Sequence, residues 1–323
     1  MSTTPPDFEA AKRAFLDGTG HYEAGRFTDA RASLEEALAL MPGRVSALVN
    51  LGATLIRLND HQAALPLLEQ AVATDPAYLD GWLHRADALA ALGRHDDALA
   101  CLDSALELKA DSAPALYQRS AVLGHLGRYA ESLAASTRLV AREPESTAGW
   151  SLRAEALHRL GRLDEAMQSF DTLLDIDPQL PASWSQRATV LKELGRNDEA
   201  AASFRQAMAQ GGDPALNAYF LASLTGQDAP ATAPPKYVES LFDDYACDFD
   251  THLIDVLRYR AHSVLVEQVQ VLGKKSYRAA LDLGCGTGLC GPLVKDFAER
   301  VEGVDLSSKM IARAGELGVY SSL

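Results

Sequence analysis

The chain has 323 residues, enough for two or three domains with buried cores, and is 47% apolar and 23% charged with a mean hydropathy of -0.09. No apolar run is long enough to cross a bilayer, and the opening MSTTPPDFEAAKR has no basic stretch followed by an apolar core, so a cytoplasmic protein away from membranes is expected. A net charge of -14 with no basic cluster repels phosphate backbones, which excludes nucleic acid as the expected partner.

Residues 1–10 read as a flexible N-terminal tail. From 11 to 212 the sequence matches itself at a shift of 34, aligning Ala30, Ala64, Ala98, Ser132, Ala166 and Ala200, small residues that let two helices approach. The same register aligns Gly25, Asn59, Gly93, Gly127, Gly161 and Gly195 at the turn inside each helix pair, where a left-handed backbone ends the first helix. Trp82, Trp150 and Trp184, with Leu48 and Leu116, recur as large apolar wedges. Pro42, Pro76, Pro144 and Pro178 fall where the second helix must stop, with Ala110 and Gly212 in the two remaining repeats.

This pattern resembles the tetratricopeptide repeat family, in which antiparallel helix pairs stack into a right-handed superhelix. Such a stack needs neighbours to bury each pair's apolar face and caps at its ends. The resemblance implies a protein or peptide partner held in the concave face. Arg85, Arg119, Arg153 and Arg187 recur at intervals of 34, where the second repeat has Leu51. They are read either as a ladder pairing with carboxylates or phosphates of a ligand, or as stems packed between helices with heads bonded inside the protein; the structural reading is preferred. Tyr117, Asn50, His84, Gln118, His125, Glu155 and His158 are further groove candidates by register.

Residues 213–235 read as a capping helix, PALNAYFLASLTG, and a linker rich in alanine and proline. Residues 236–278 form a helical lead-in, with Phe242, Tyr245, Phe249, Leu253 and Leu257 at helical spacing. Its string FDDYACDFDTHLIDVLRYR resembles the segment preceding the catalytic domain in a family of predicted methyltransferases that carry tetratricopeptide repeats. That resemblance implies Tyr245, Phe249 and His252 in a helical cover near a cofactor.

Residues 279–323 show a βαβα order around LDLGCGTGLCG and VEGVDLS. Parallel strands with a crossover helix place the glycine loop at the carboxyl edge of a sheet, where open α/β sheets bind ligands. Gly284, Gly286 and Gly288 would let a ligand lie against backbone N–H groups at the next helix start. Gly286, Gly288 and Gly291 also satisfy the dinucleotide pattern Gly-x-Gly-x-x-Gly, so a dinucleotide-binding oxidoreductase fragment is an alternative. Asp282, the string LDLGCGTG, and Asp305 followed by Leu306 and a serine resemble the first two motifs of class I methyltransferases. The resemblance implies S-adenosylmethionine as cofactor, with Asp282, Gly284, Cys285, Gly286 and Gly288 in its loop, Asp305 with Leu306 at the ribose, and Tyr245 in the cover. The four cysteines, Cys101, Cys247, Cys285 and Cys290, lack metal or redox spacing, so no metal is expected.

The expected fold is therefore an α-solenoid of six tetratricopeptide repeats followed by the N-terminal part of an α/β Rossmann-like methyltransferase domain. Eighteen residues after Asp305 leave no room for a third strand. The catalytic domain is thus expected to be C-terminally incomplete and the chain to bind S-adenosylmethionine poorly. The expected function is an S-adenosylmethionine-dependent methyltransferase with a protein-interaction module. The alternative is a binding scaffold without catalysis, and the methyl acceptor is not specified by these residues.

Overall fold

The computed structural model describes residues 6–226, 230, 232–246, 249–271 and 276–323. Cys247 and most of the expected Ala/Pro linker lie outside the described residues. The chain divides into two units, residues 1–210 and 211–323.

The first unit is a stack of six antiparallel helix pairs. They are α1 (Pro6–Glu23) with α2 (Phe27–Leu40), α3 (Val45–Arg57) with α4 (His61–Thr74), and α5 (Leu79–Ala91) with α6 (His95–Leu108). The series continues with α7 (Ala113–His125) and α8 (Tyr129–Arg142), α9 (Thr147–Arg159) and α10 (Leu163–Ile176), and α11 (Pro181–Glu193) and α12 (Asn197–Ala209). From Val45 onward, each first helix begins 34 residues after the one before it, so one local solution is repeated. The expected tail is shorter than read from sequence, because α1 already begins at Pro6. A proline at a helix's first position loses nothing, since that N–H has no intrahelical partner.

Each turn inside a pair is left-handed at the aligned position, from φ 72° at Gly25 to φ 73° at Gly195, and Asn59 adopts φ 62°. The third repeat shows how it closes: Gly93 N–H donates to Ala90 O at 3.0 Å and Arg94 N–H to Leu89 O at 2.9 Å. These two bonds satisfy carbonyls that a helix end otherwise leaves open. Ala30, Ala64, Ala98, Ala166 and Ala200 are fully buried and Ser132 nearly so, because the helix crossing has no room beyond a methyl or hydroxymethyl group. Leu34, Leu48, Leu55 and Leu68 form one core cluster, and Leu83, Leu89, Leu102 and Leu123 another, each spanning more than one repeat. Burial therefore depends on neighbours, as a quasi-one-dimensional stack requires.

The tryptophans differ from the leucines at the same register. Leu48 and Leu116 are buried, whereas Trp82, Trp150 and Trp184 are half-buried. Each indole N–H donates to the proline carbonyl six residues earlier, Pro76, Pro144 and Pro178, at 2.8 to 2.9 Å. The wedge thus also fastens the loop that enters its helix, which suits an amphipathic ring with one polar edge.

In the second unit α13 (Pro214–Thr225) is capped by Asp213, which accepts from Leu216 N–H at 2.9 Å, and it ends at left-handed Gly226. Tyr219 and Phe220 pack against Tyr237 of α14 (Pro235–Tyr245). A π-helical turn (Thr251–Val256) and α15 (Ala261–Val271) follow. Next come β1 (Ala280–Leu283), the short α16 (Gly291–Val294), β2 (Val301–Val304) and α17 (Ser308–Glu316). The strands pair in parallel, Ala280 opposite Val301 and Leu283 opposite Val304.

A third extended segment was not expected, yet one is present. Ser322 bridges Glu302 in parallel, with Ser321 N–H donating to Val301 O at 2.7 Å and Gly303 N–H to Ser322 O at 3.0 Å. The chain after α17 returns beside β2 on the edge away from β1. One sheet face is open: Leu281 and Leu283 of β1 are 59% and 74% exposed.

Candidate functional site

The glycine turn leaves β1 and faces an open cleft of about 570 Å³. Of the residues expected to bind a cofactor, Asp282, Gly284, Cys285 and Gly286 line it, together with Phe242, Phe249 and Tyr259. A Cβ at Gly284 would meet nothing within 4 Å, and one at Gly286 would only touch Phe249 at 3.8 Å. Space therefore remains above these two positions. Gly288 differs, because its Cβ would strike Leu317, Tyr320 and Ala314 at 2.8 to 3.1 Å, so its missing side chain makes room for α17 and for the C-terminal residues beyond that helix.

Four backbone donors of the turn are occupied. Gly284 and Cys285 N–H both donate to Val304 O, at 2.8 and 3.0 Å, and Gly288 N–H donates to Cys285 O at 2.9 Å. Gly286 N–H donates to the Asp305 carboxylate at 2.9 Å, and Ser307 N–H donates to its other oxygen at 2.9 Å. The anticipated row of free N–H groups at a helix start is not what the turn offers, and α16 is only four residues long. Asp305 tethers the glycine turn to the end of β2. Each of its oxygens retains acceptor capacity, since an ionised carboxylate has about four lone-pair sites. Leu306, beside it, is 58% exposed.

The lead-in helices cover this turn through contacts that spacing alone does not reveal. Thr287 donates to Asp250, Ser307 to Asp243, and Arg313 to the carbonyl of Ala246. Tyr245 meets the rings of Phe249 and His252 edge-on at 5.5 and 5.6 Å, so it supports the aromatic wall that Phe249 presents to the cleft. Tyr320, which sequence reasoning passed over, donates to Asp282 at 2.7 Å. Its signal was present in the glycines: Gly288, Gly291 and Gly303 all vacate space for its ring.

Burial, with Asp282 and Asp305 adding to it, pushes the Cys285 thiol from 9.0 up to about 11. Because the folded value is raised, this thiol's contribution to stability is complete below pH 9.0 and fades as pH climbs through about 11. At pH 8 its alkylation by iodoacetamide should run on the order of a hundredfold slower than that of a free cysteine. Peptide mapping by mass spectrometry at timed intervals checks this, and labelling as fast as glutathione would contradict it.

In the first unit, the four ladder arginines sit between consecutive second helices, floored by the first helix between them. Arg85 pairs with Glu69 at 3.5 Å, Arg119 with Asp103 at 3.1 Å and Arg187 with Asp171 at 2.8 Å, each acid 16 residues earlier. Arg153 donates to Ser169 and Arg187 also to Ser203, 16 residues later. Arg85, Arg153 and Arg187 lie over Trp82, Trp150 and Trp184 at 5.6 to 5.8 Å. Leu51 at the same register is buried, so the position is an interhelical one. Tyr117, 44% exposed, lines a separate niche with Pro114, Glu143 and Ser146.

Of the other register candidates, Asn50 donates to Thr19 at 3.3 Å and His158 contacts Glu193 at 2.9 Å. Burial holds His84 below the usual imidazole range, against the pull of Asp80 and Asp87. Sequence reading also missed a second charge series. Arg94, Arg128, Arg162 and Arg196, each just after the turn glycine, pair with an acid three residues on at 2.7 Å. These pairs are exposed and screened, and they contribute little each. Among the described residues no group of three or more His, Cys, Asp or Glu is placed to hold a metal, and no helix is long and apolar enough to cross a membrane.

Three family profiles, each described as a tetratricopeptide repeat, match the chain: one over residues 15–78 and 122–181, a second over 55–119 and a third over 181–209. Among solved structures, the chain is similar to one from the functional characterisation of Pseudomonas aeruginosa pilF, at 17% identity, covering 68% of this chain and 100% of that one with a TM-score of 0.59. It is similar to a tetratricopeptide repeat protein from Parabacteroides merdae at 20% identity, covering 75% and 92%, TM-score 0.56. It is also similar to YrrB, a tetratricopeptide repeat protein with an unusual peptide-binding site, at 17% identity, covering 58% and 96%, TM-score 0.51. At these identities the likeness establishes the fold alone. No curated protein matches the chain.

Proposed function

A chain whose residues 15–209 are tetratricopeptide repeats presents a long array of helix faces, and we infer that this one is a scaffold that binds a protein or peptide. The observation that carries the reading is the regularity of the stack: six pairs share one core solution, while the residues between that core and solvent vary from repeat to repeat. Constant packing with variable surface is what a binding array needs. Amide hydrogen exchange of the full chain, alone and with a partner captured on it, tests this. Protection should fall within residues 45–209, and protection confined to residues 236–323 would refute it.

A second reading concerns the glycine turn, which we propose as part of a site for S-adenosylmethionine in a methyltransferase. It rests on the charge and shape of the cleft. The described lining residues include Asp282 and the rings of Phe242, Phe249 and Tyr259 but no lysine or arginine. Such a wall suits a cation and a flat ring, and it disfavours the diphosphate of a dinucleotide. The space beside Gly291, third in the dinucleotide pattern, is filled by Tyr320, whose ring a Cβ there would meet at 2.7 Å. When bound, S-adenosylmethionine supplies a methyl group carried on a sulfonium. Gly284 and Gly286 would lie along it, and the spare acceptor capacity of Asp305 would serve its hydroxyls.

With Leu283 74% exposed at its margin, the cleft encloses a ligand poorly, so millimolar rather than micromolar affinity is expected. Calorimetric titration with S-adenosylmethionine and with NAD, on the native chain and on Asp305→Asn, distinguishes the readings. Weak binding of the first, lost in the variant, supports the site. Binding of NAD alone eliminates it and leaves the scaffold untouched.

A further inference from the structure

The arginine ladder is complete in its chemistry except at one rung. Arg85, Arg119 and Arg187 each have a carboxylate from the preceding second helix, Glu69, Asp103 and Asp171. The residue at that place for Arg153 is Thr137, which carries no charge. Arg153 donates to Ser169 through one terminal nitrogen and lies over Trp150 at 5.6 Å, and among the described residues no ion pair engages it. The nearby acid Glu165 is already held by both forks of Arg162, at 2.7 Å each.

The surface is open at this rung. A cleft of about 380 Å³ lies between α8 and α10, with Arg153 and Trp150 exposed to it and Thr137, Gln168 and Thr172 on its walls. A half-buried guanidinium with no acid in direct contact, which feels only the charge of Glu165 that Arg162 already holds, is a costly arrangement that an incoming anion would relieve. The three other rungs show which anion fits, because each is filled by a planar carboxylate on a short flexible stem.

We propose that the cleft between α8 and α10 binds an aspartate or glutamate side chain of a partner peptide, which pairs with Arg153 and takes the place that Glu69, Asp103 and Asp171 hold at the other rungs. Gln168 and the threonine hydroxyls would bond the peptide backbone beside that carboxylate. The proposal rests on the scaffold reading and specifies one of its contact points.

The test uses the full chain and a displayed library of random twelve-residue peptides. Enriched peptides should share an acidic residue at one position, and its replacement by glutamine or asparagine should weaken binding at least tenfold. Two variants should do the same. Arg153→Leu removes the cation and introduces the residue that Leu51 shows to be compatible with the fold, while Thr137→Asp supplies the missing acid from within. Glutarate should displace the peptide better than inorganic phosphate at equal concentration. Peptides that bind without an acid requirement, or equally well to both variants, or that phosphate displaces more readily, overturn the carboxylate site and leave the scaffold standing. A library from which nothing is enriched removes both.

Discussion

Replacing Phe170 by alanine should cost the repeat stack about 3–5 kcal/mol and melt the fifth and sixth helix pairs ahead of the others. Phe170 is 1% exposed and among the largest fully buried side chains of the array. Its ring lies in α10, which packs on both α9 and α11, so its loss opens a cavity at the joint between two repeats. In a stack where stability is a sum of repeat and nearest-neighbour contributions, such a defect stays local and divides the array. Chemical denaturation followed at once by circular dichroism and tryptophan fluorescence should show two transitions. Trp150 and Trp184, being near the defect, should report the first, and Trp82 the second. A single transition at the original midpoint would show that the packing argument is wrong.

Tyr320→Ala should be the corresponding blow to the C-terminal unit, at a cost of about 2–4 kcal/mol. The tyrosine ring occupies space that three glycines vacate: a Cβ at Gly291 would come within 2.7 Å of it, at Gly303 within 2.9 Å and at Gly288 within 3.0 Å. Glycines have no side chains that could collapse into the void, so relaxation is limited. Tyr320→Phe keeps the ring and removes only the bond to Asp282, so its cost should be smaller, about 1–3 kcal/mol. Burial, and then the bond to Asp282, hold this phenol protonated above its ordinary range. The raised value means that the phenol's contribution is intact below pH ~10 and is lost on going further alkaline, a loss that Tyr320→Phe should abolish. Limited proteolysis between residues 276 and 323 provides the measurement. Cleavage at the native rate in Tyr320→Ala would mean that the ring organises nothing.

The repeats were legible to the residue because their information is local and redundant. Six copies of a small residue and of a turn residue, with five of a wedge, all name the same register, and Asn59 takes the glycine conformation without glycine. The tail was misjudged by five positions, since Pro6 starts α1 and no periodicity reaches that far back. In the C-terminal unit the two strands and their parallel order were readable from apolar runs flanking the glycine turn. The third extended segment was not, because GVYSSL has neither apolar alternation nor length and pairs only through backbone bonds to Val301 and Gly303. The arginine ladder was visible as spacing. Which rung lacked an acid was written at Thr137, but its meaning required knowing that positions 16 apart meet.

The sequence by itself determined that this chain is a solenoid of paired helices, because each repeat's turn chemistry and small-residue contacts are satisfied within 34 residues and need nothing distant. Only the tertiary structure decided what its polar residues do. The amides of the glycine turn spend their hydrogen bonds on Val304, Cys285 and Asp305, Tyr320 claims the room left by three glycines, and Arg153 lines an open cleft without the acid that its counterparts have. The reason is physical. Backbone conformation follows from neighbours along the chain, whereas the partner of a charge or a hydrogen bond is whatever folding brings within about 3 Å of it.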